Sequence, residues 1–444
     1  MRRKARRGGG RQLELTIESI GGRGDGIAQL DDGRRARPVF VADALPGERL
    51  RVRIAGERSG GYKAEVLELL SAAPERVAPP CPHFGSCGGC SLQHWNDGAY
   101  AAWKAALPAA ALARRGLDPG EAGFTVEPLL RIAPGRRRRA SLAATRRRDG
   151  TVRLGYHGRD SHEVVDLSTC LLLTPRLVEL LPGLRRLLAA VLQPGEAVQL
   201  VVTDTQSGID LLWVGSRPLG LEAREALVDF AERADLARLS WRPPEETGPA
   251  EPLLVRREPL MTFGGVALIP PAGGFLQPTA EGEAAIVDGL RRHLPDSAER
   301  LADLHAGCGT FSLALAGGTT GWRVQAVEGD AEASAALSQA VNRAGLAGRV
   351  TVETRDLARR PLLTDELSVF DALVFDPPRA GAREQAAEIA LSSVPRVLAV
   401  SCNPNSFARD ARILVDGGYR LRAVTPIDQF PWSGHLELVA SFEK

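Results

Sequence analysis

The chain has 444 residues, 44% of them apolar and 25% charged, which allows two or three domains and is ordinary for a globular protein. A net charge of +2 excludes a polycation, no apolar run reaches the length of a membrane span, and the start lacks the apolar core of a secretory signal. A cytoplasmic protein with no membrane partner is expected, a monomer by default. With nothing to mark secretion, the six cysteines point to metal binding or catalysis rather than a disulfide framework.

Residues 1–10 are basic and Gly-rich and read as a disordered tail. Residues 11–70 read as a small β unit. Leu13, Leu15 and Ile17 alternate with Glu14, Thr16 and Glu18, glycines break the chain at 21–26, and Leu50–Ile54 alternates again. Short strands at this spacing predict a small barrel. A proline linker follows at 74–80. Residues 71–270 form a mixed α+β region, with an alanine-rich helix at 100–115, strands at 198–202 and 210–214, and a helix at 219–233. Its stretch 131–148 carries eight arginines and no acid, a pattern that either tracks a phosphate backbone or reflects general arginine usage.

In that same region, Cys81-x5-Cys87-x2-Cys90 has metal-ligand spacing. Cys170 is a candidate fourth ligand, or else a buried apolar thiol. Four thiolates suit zinc or an iron–sulfur cluster, and spacing does not separate the two.

Residues 271–444 alternate strand and helix. Apolar strands at 301–304, 324–327, 372–375 and 397–400 are interleaved with helices at 279–293, 331–344, 382–391 and 406–416, which predicts a doubly wound α/β parallel sheet. Ligands of such sheets sit beyond the carboxyl ends of the strands. Gly307-Cys308-Gly309 follows the first strand and opens a helix, a context that lets backbone approach a nucleotide-like ligand. Ser312 stands where a dinucleotide fingerprint would have glycine, which argues against NAD. Glu328 ends the next strand, placed to accept from ribose hydroxyls, and Asp356 follows the third, placed for an adenine. This set suits S-adenosylmethionine. Cys402 ends the last of the four strands, where a thiol reads as a nucleophile rather than packing. Glu437 lies in an alternating strand over 434–439. It is either a base or a surface carboxylate.

Together these motifs resemble the RNA uracil-5-methyltransferase family, in particular its branch with an N-terminal TRAM barrel and a 4Fe–4S cluster that modifies bacterial 23S ribosomal RNA. The most specific matches are Phe375-Asp376-Pro377-Pro378-Arg379 and Ser401-Cys402-Asn403-Pro404, followed by Phe430-Pro431-Trp432-Ser433-Gly434-His435-Leu436-Glu437. The resemblance implies Cys402 as nucleophile and Glu437 as general base. It also implies His305, Thr310, Glu328 and Asp356 as cofactor contacts, Gln277 as a contact to the cofactor or the target base, and Asp376 as bordering both ligands. Cys81, Cys87, Cys90 and Cys170 become cluster ligands, and the partner is RNA: ribosomal RNA by preference, transfer RNA as the alternative. His305 stands where the family usually has phenylalanine, Thr310 replaces asparagine, and Pro278-Thr279 replaces Val-Asn.

Overall fold

The computed structural model describes residues 11–31, 35–245, 248–295, 297–317 and 321–444. The basic tail at 1–10 lies outside them. Contacts divide the chain into two units. One comprises the residues up to Lys104 together with Trp432–His435, and the other Ala105–Pro431 with Leu436–Lys444. No helix among the described residues is long and apolar enough to cross a membrane.

In the first unit, Gln12–Thr16, Arg49–Arg58, Gly61–Ser71, Ala36–Val41, Gly26–Asp31 and Ser19–Ile20 form one six-stranded sheet in that order. The alternation of the sequence becomes register: Leu13 pairs with Val52 and Leu15 with Leu50. Leu15, Ile17, Val39, Val41, Leu50 and Val52 form its core. Glu48 is fully buried in the turn before the second strand of that order. Burial raises its carboxyl, but Arg76 and the Leu45 and Ala73 amides outweigh this and hold it below the usual range.

The described residues of the second unit hold two large sheets and a two-stranded one, Met261–Phe263 with Val266–Leu268. The six-stranded one runs Val152–Gly155, Arg139–Arg146, Ala197–Thr205, Gly208–Val214, Arg238–Arg242, Glu251–Val255. The helix Pro175–Val191 buries a leucine stripe against it. The nine-stranded sheet runs Val350–Thr354, Arg323–Glu328, Arg300–Leu304, Ala372–Phe375, Arg396–Ser401, Glu437–Glu443, Arg420–Asp428, Thr125–Val126, with Leu130–Arg131 also on Arg420–Asp428. The strands and helices expected after residue 270 form within a few residues of their expected ends.

Two expectations need correction. The large sheet is not parallel throughout. Its first five strands are parallel, but Glu437–Glu443 pairs antiparallel with both neighbours. The connection from Asp428 to Glu437 contains no crossover helix, and without one the chain can only return antiparallel. The second concerns Glu437, which does not alternate to a polar face. Leu436, Glu437 and Leu438 are all buried, because an inner strand is covered on both faces.

Part of the 131–148 arginine run finds its partners within the fold, while Arg131, Arg136, Arg147 and Arg148 stay exposed. Arg138 donates to the Gln277 carbonyl at 3.1 Å and to Glu283 at 2.5 Å, while Arg139 donates to the carbonyls of Gly273 and Gly274. These guanidiniums satisfy a loop that has no ladder of its own, so they hold residues 273–278 in place rather than face a phosphate backbone.

Candidate active site

Strand order reverses between Arg300–Leu304 and Ala372–Phe375, which opens a crevice at their carboxyl ends. The loop after Leu304 turns through left-handed conformations at His305 (φ 65°), Gly307 (φ 57°) and Gly309 (φ 91°). Gly309 is required there, because a Cβ would sit 2.3 Å from Leu337 Cδ1. Thr310 is buried as the first residue of the following helix. The Gly307 amide donates to Glu328 Oε2 at 2.8 Å, and the Asp330 amide to Oε1 at 2.7 Å. Glu328 is therefore a half-buried, oriented carboxylate at the next strand's end rather than a loosely solvated one. Asp356 is exposed beyond the third strand and accepts from the Ala358 amide. His305 packs its ring 6.2 Å from that of Phe375, and its buried Nε2 has no partner. Burial holds its pKa below the usual histidine range, so the ring is neutral. Cys308, between the two glycines, points into the core and is pushed up to about 12 by burial, which makes it packing and not a nucleophile.

Three further strand ends bring the candidate reacting groups. Asp376 follows Phe375 and is half-buried. Burial, then Glu437 and Asp303, push its carboxyl well above the ordinary range. Cys402 follows Ser401 and is half-buried. Burial, then the charges of Glu437 and Asp376, raise its thiol to about 11, against a lowering by Arg379. Asn403 caps the helix Pro404–Asp416 through the Asn405 amide and donates to the Arg379 carbonyl at 3.1 Å, fixing the turn that carries the sulfur. Glu437 opens its strand at the same edge, 3% exposed, and burial raises its carboxyl to about 7.

Gln277 arrives from the arginine-clamped loop. Its Oε1 accepts from Gln429 Nε2 at 2.9 Å, and the same nitrogen donates to Glu437 Oε2 at 2.9 Å. Gln429 escaped the sequence reading, although it stands one residue before the Phe430–Glu437 motif. Asp303 escaped it too. It is fully buried, accepts from Ser312 Oγ at 2.6 Å, leaves Oδ1 without a partner, and is raised by burial to about 6. The Ser312 that argued against a dinucleotide is thus that acid's partner.

The crevice fits S-adenosylmethionine on the chain's own terms. A left-handed glycine turn, an oriented carboxylate and an unpartnered imidazole nitrogen follow the first two strand ends, and a thiol and a buried carboxylate stand at neighbouring strand ends of the same sheet. The cysteine set is different. Cys81, Cys87 and Cys90 lie in the first unit, on turns closed by Phe84 N–H to Cys81 O and Cys87 N–H to His83 O. Cys170 belongs to the second unit. Among the described residues no group of three or more His, Cys, Asp or Glu side chains is arranged to hold a metal ion. The thiols suit a cluster by donor type alone.

A family model described as tRNA (uracil-5-)-methyltransferase matches residues 270–444. An uncharacterized RNA methyltransferase of Brucella melitensis is 44% identical over 97% of this chain and 98% of its own length. The 23S rRNA (uracil(1939)-C(5))-methyltransferase RlmD of Chromohalobacter salexigens is 34% identical over 95% of this chain and 87% of its own length. In fold, the chain is similar to the Pyrococcus abyssi tRNA (uracil-54, C5)-methyltransferase solved with S-adenosyl-L-homocysteine. The TM-score is 0.71 at 20% identity, covering 97% of this chain and all of that one. With relatives of this identity aligned along nearly the whole chain, and with a thiol and a buried carboxylate converging beside a cofactor loop, the protein belongs to the RNA uracil-5-methyltransferase family.

Proposed function

We propose that the protein methylates carbon 5 of a uridine in 23S ribosomal RNA through a covalent bond between Cys402 and the ring. The observation that carries this is the convergence of Cys402 and a buried Glu437 at adjacent strand ends, with Glu437 raised to about 7. Carbon 5 of uracil is too weak a nucleophile to take a methyl group unaided. The Cys402 thiolate adds to carbon 6, and the electron pair released into the ring becomes available at carbon 5. S-adenosylmethionine, when bound, would supply the methyl group that carbon 5 takes as the sulfonium carbon–sulfur bond breaks, with S-adenosylhomocysteine as the leaving group. Glu437 then removes the carbon-5 proton, the carbon–sulfur bond breaks, and the thiolate is regenerated. A carboxylate near neutrality is matched to that proton transfer, since a stronger acid would be too weak a base.

The rest of the site binds and orients. Glu328 and Asp356 are assigned to the ribose and adenine of the cofactor, with His305 and Thr310 lining its pocket. Asp376 faces the ring's imide edge. The target base must leave its stack to reach the sulfur, at a cost of a few kcal/mol. Ribosomal RNA is preferred over transfer RNA because RlmD matches along 95% of the chain at 34% identity. The N-terminal sheet is assigned as a TRAM module that helps hold the RNA, and the protein as a cytoplasmic monomer. Cys81, Cys87, Cys90 and Cys170 are assigned to a 4Fe–4S cluster on donor chemistry and family resemblance. Anaerobic protein should be brown with stoichiometric iron and sulfide, and a colourless protein carrying zinc overturns that assignment.

The deciding experiment is mass mapping of ribosomal RNA from a deletion strain. One uridine should lose its methyl and regain it with the intact gene but not with Cys402→Ala. An unchanged map of ribosomal RNA with a methyl lost from transfer RNA moves the substrate assignment. Restoration by Cys402→Ala removes the thiol from the mechanism.

A further inference from the structure

Gln429 spends both amide hydrogens inside the site. Nε2 donates to Glu437 Oε2 and to Gln277 Oε1, each at 2.9 Å. All three side chains are buried. A primary amide carries two donors on nitrogen and an acceptor on oxygen, so the direction of this chain is set step by step. An ionised Glu437 only accepts, so Gln429 turns its NH2 toward it. The second N–H then points at Gln277, which answers with its carbonyl oxygen. Thr279 Oγ1 receives the Gly282 amide at 3.0 Å, which leaves its own proton to donate to Gln429 Oε1 at 3.4 Å. Every member agrees on one polarity, and the end of Gln277 left for a ligand is its NH2.

We propose that Gln429 is a positioning residue that couples the ionised state of Glu437 to the face Gln277 presents, so that Gln277 offers an N–H donor to a carbonyl oxygen of the target pyrimidine. The coupling rests on the uracil-methylation reading and deepens it. The carbon-4 carbonyl of uracil, the one that cytosine replaces by an amine, satisfies the donor. A cytosine amine placed there sets donor against donor, and an unpaired polar group in a closed site discriminates far more strongly than shape does. Burial raises Glu437, and the same amide opposes that rise, because a hydrogen bond to a carboxylate favours the ionised state.

Gln429→Met keeps length and removes both donors, and Gln429→Glu keeps shape and reverses the polarity. Calorimetry with S-adenosylhomocysteine checks that each variant is folded. Methylation and adduct decay are then followed across neutral pH, on target RNA and on the same RNA with the uridine replaced by cytidine. In Gln429→Met the acid limb of the rate should move up by about one to two pH units, the loss of one charge-assisted hydrogen bond. The preference for uridine in adduct formation should fall roughly tenfold or more, with KM for RNA little changed. In Gln429→Glu the limb should move further, because two adjacent carboxyls resist joint ionisation. A slower enzyme whose limb and uridine preference are both unmoved overturns the coupling. Loss of cofactor binding in both variants overturns it as well, since the residue is then part of the scaffold. A wild-type protein that makes no 5-methyluridine sinks the reading beneath it instead.

Discussion

Cys402 and Glu437 stand one step beyond the same cross-strand pair. Ser401 is opposite Leu438 on antiparallel neighbours, so the residue after one and the residue before the other meet at the sheet edge. The carboxylate's charge raises the thiol, so the two groups resist being ionised together. The resting thiol is thus less reactive than an exposed cysteine. Alkylation of Cys402, followed by peptide mapping, should be slow near neutrality and climb steeply as pH rises toward about 11. Glu437→Gln should speed it at a given pH. Equal rates in both proteins would separate the two groups.

Glu437→Gln should also trap the enzyme on its methylated covalent intermediate. Without a base the carbon-5 proton stays and the thiol cannot leave, so a slow band carrying RNA should accumulate on a denaturing gel. In the intact protein the same step should fail as pH drops below about 7, because the base must be ionised to accept a proton. An adduct that decays as fast at low pH as at high pH would assign the proton to another group.

Asp303 should reveal itself in stability. Its pKa rises from 3.8 to about 6 in the folded chain, so the native state keeps a proton that the unfolded chain releases. Stability is fully present below 3.8 and is lost as pH climbs to about 6, by about 3 kcal/mol. Asp303→Asn retains an acceptor for Ser312 and removes the charge. Thermal melting should show the variant gaining on the parent at alkaline pH and not at acid pH. A parallel pair of curves would contradict the buried acid.

Gly309→Ala should lose both stability and cofactor binding. The added Cβ meets Leu337 in the core, at a position whose φ of 91° already disfavours a side chain. A cost of about 2 kcal/mol or more is expected, read as a lowered melting temperature. Calorimetry with S-adenosylhomocysteine should show weaker binding, because the turn that approaches the ligand moves. Unaltered binding would free that loop from the cofactor role.

The sequence alone determined the alternating strands and helices after residue 270 and the short strands of the N-terminal sheet, and it singled out the motif residues Cys402, Asp376 and Glu437. Those features are local: hydrophobic period, turn chemistry and residues a few positions apart carry them. Tertiary structure alone decided the rest. Arg138 and Arg139 became a clamp on the 273–278 loop only once that loop lay beside them, and Glu437 became a buried carboxylate only when its strand was inserted between two others. Gln429 gained its meaning from partners 152 and 8 residues away. No periodicity signals such a contact, because a hydrogen bond between distant side chains leaves no imprint on the residues between them.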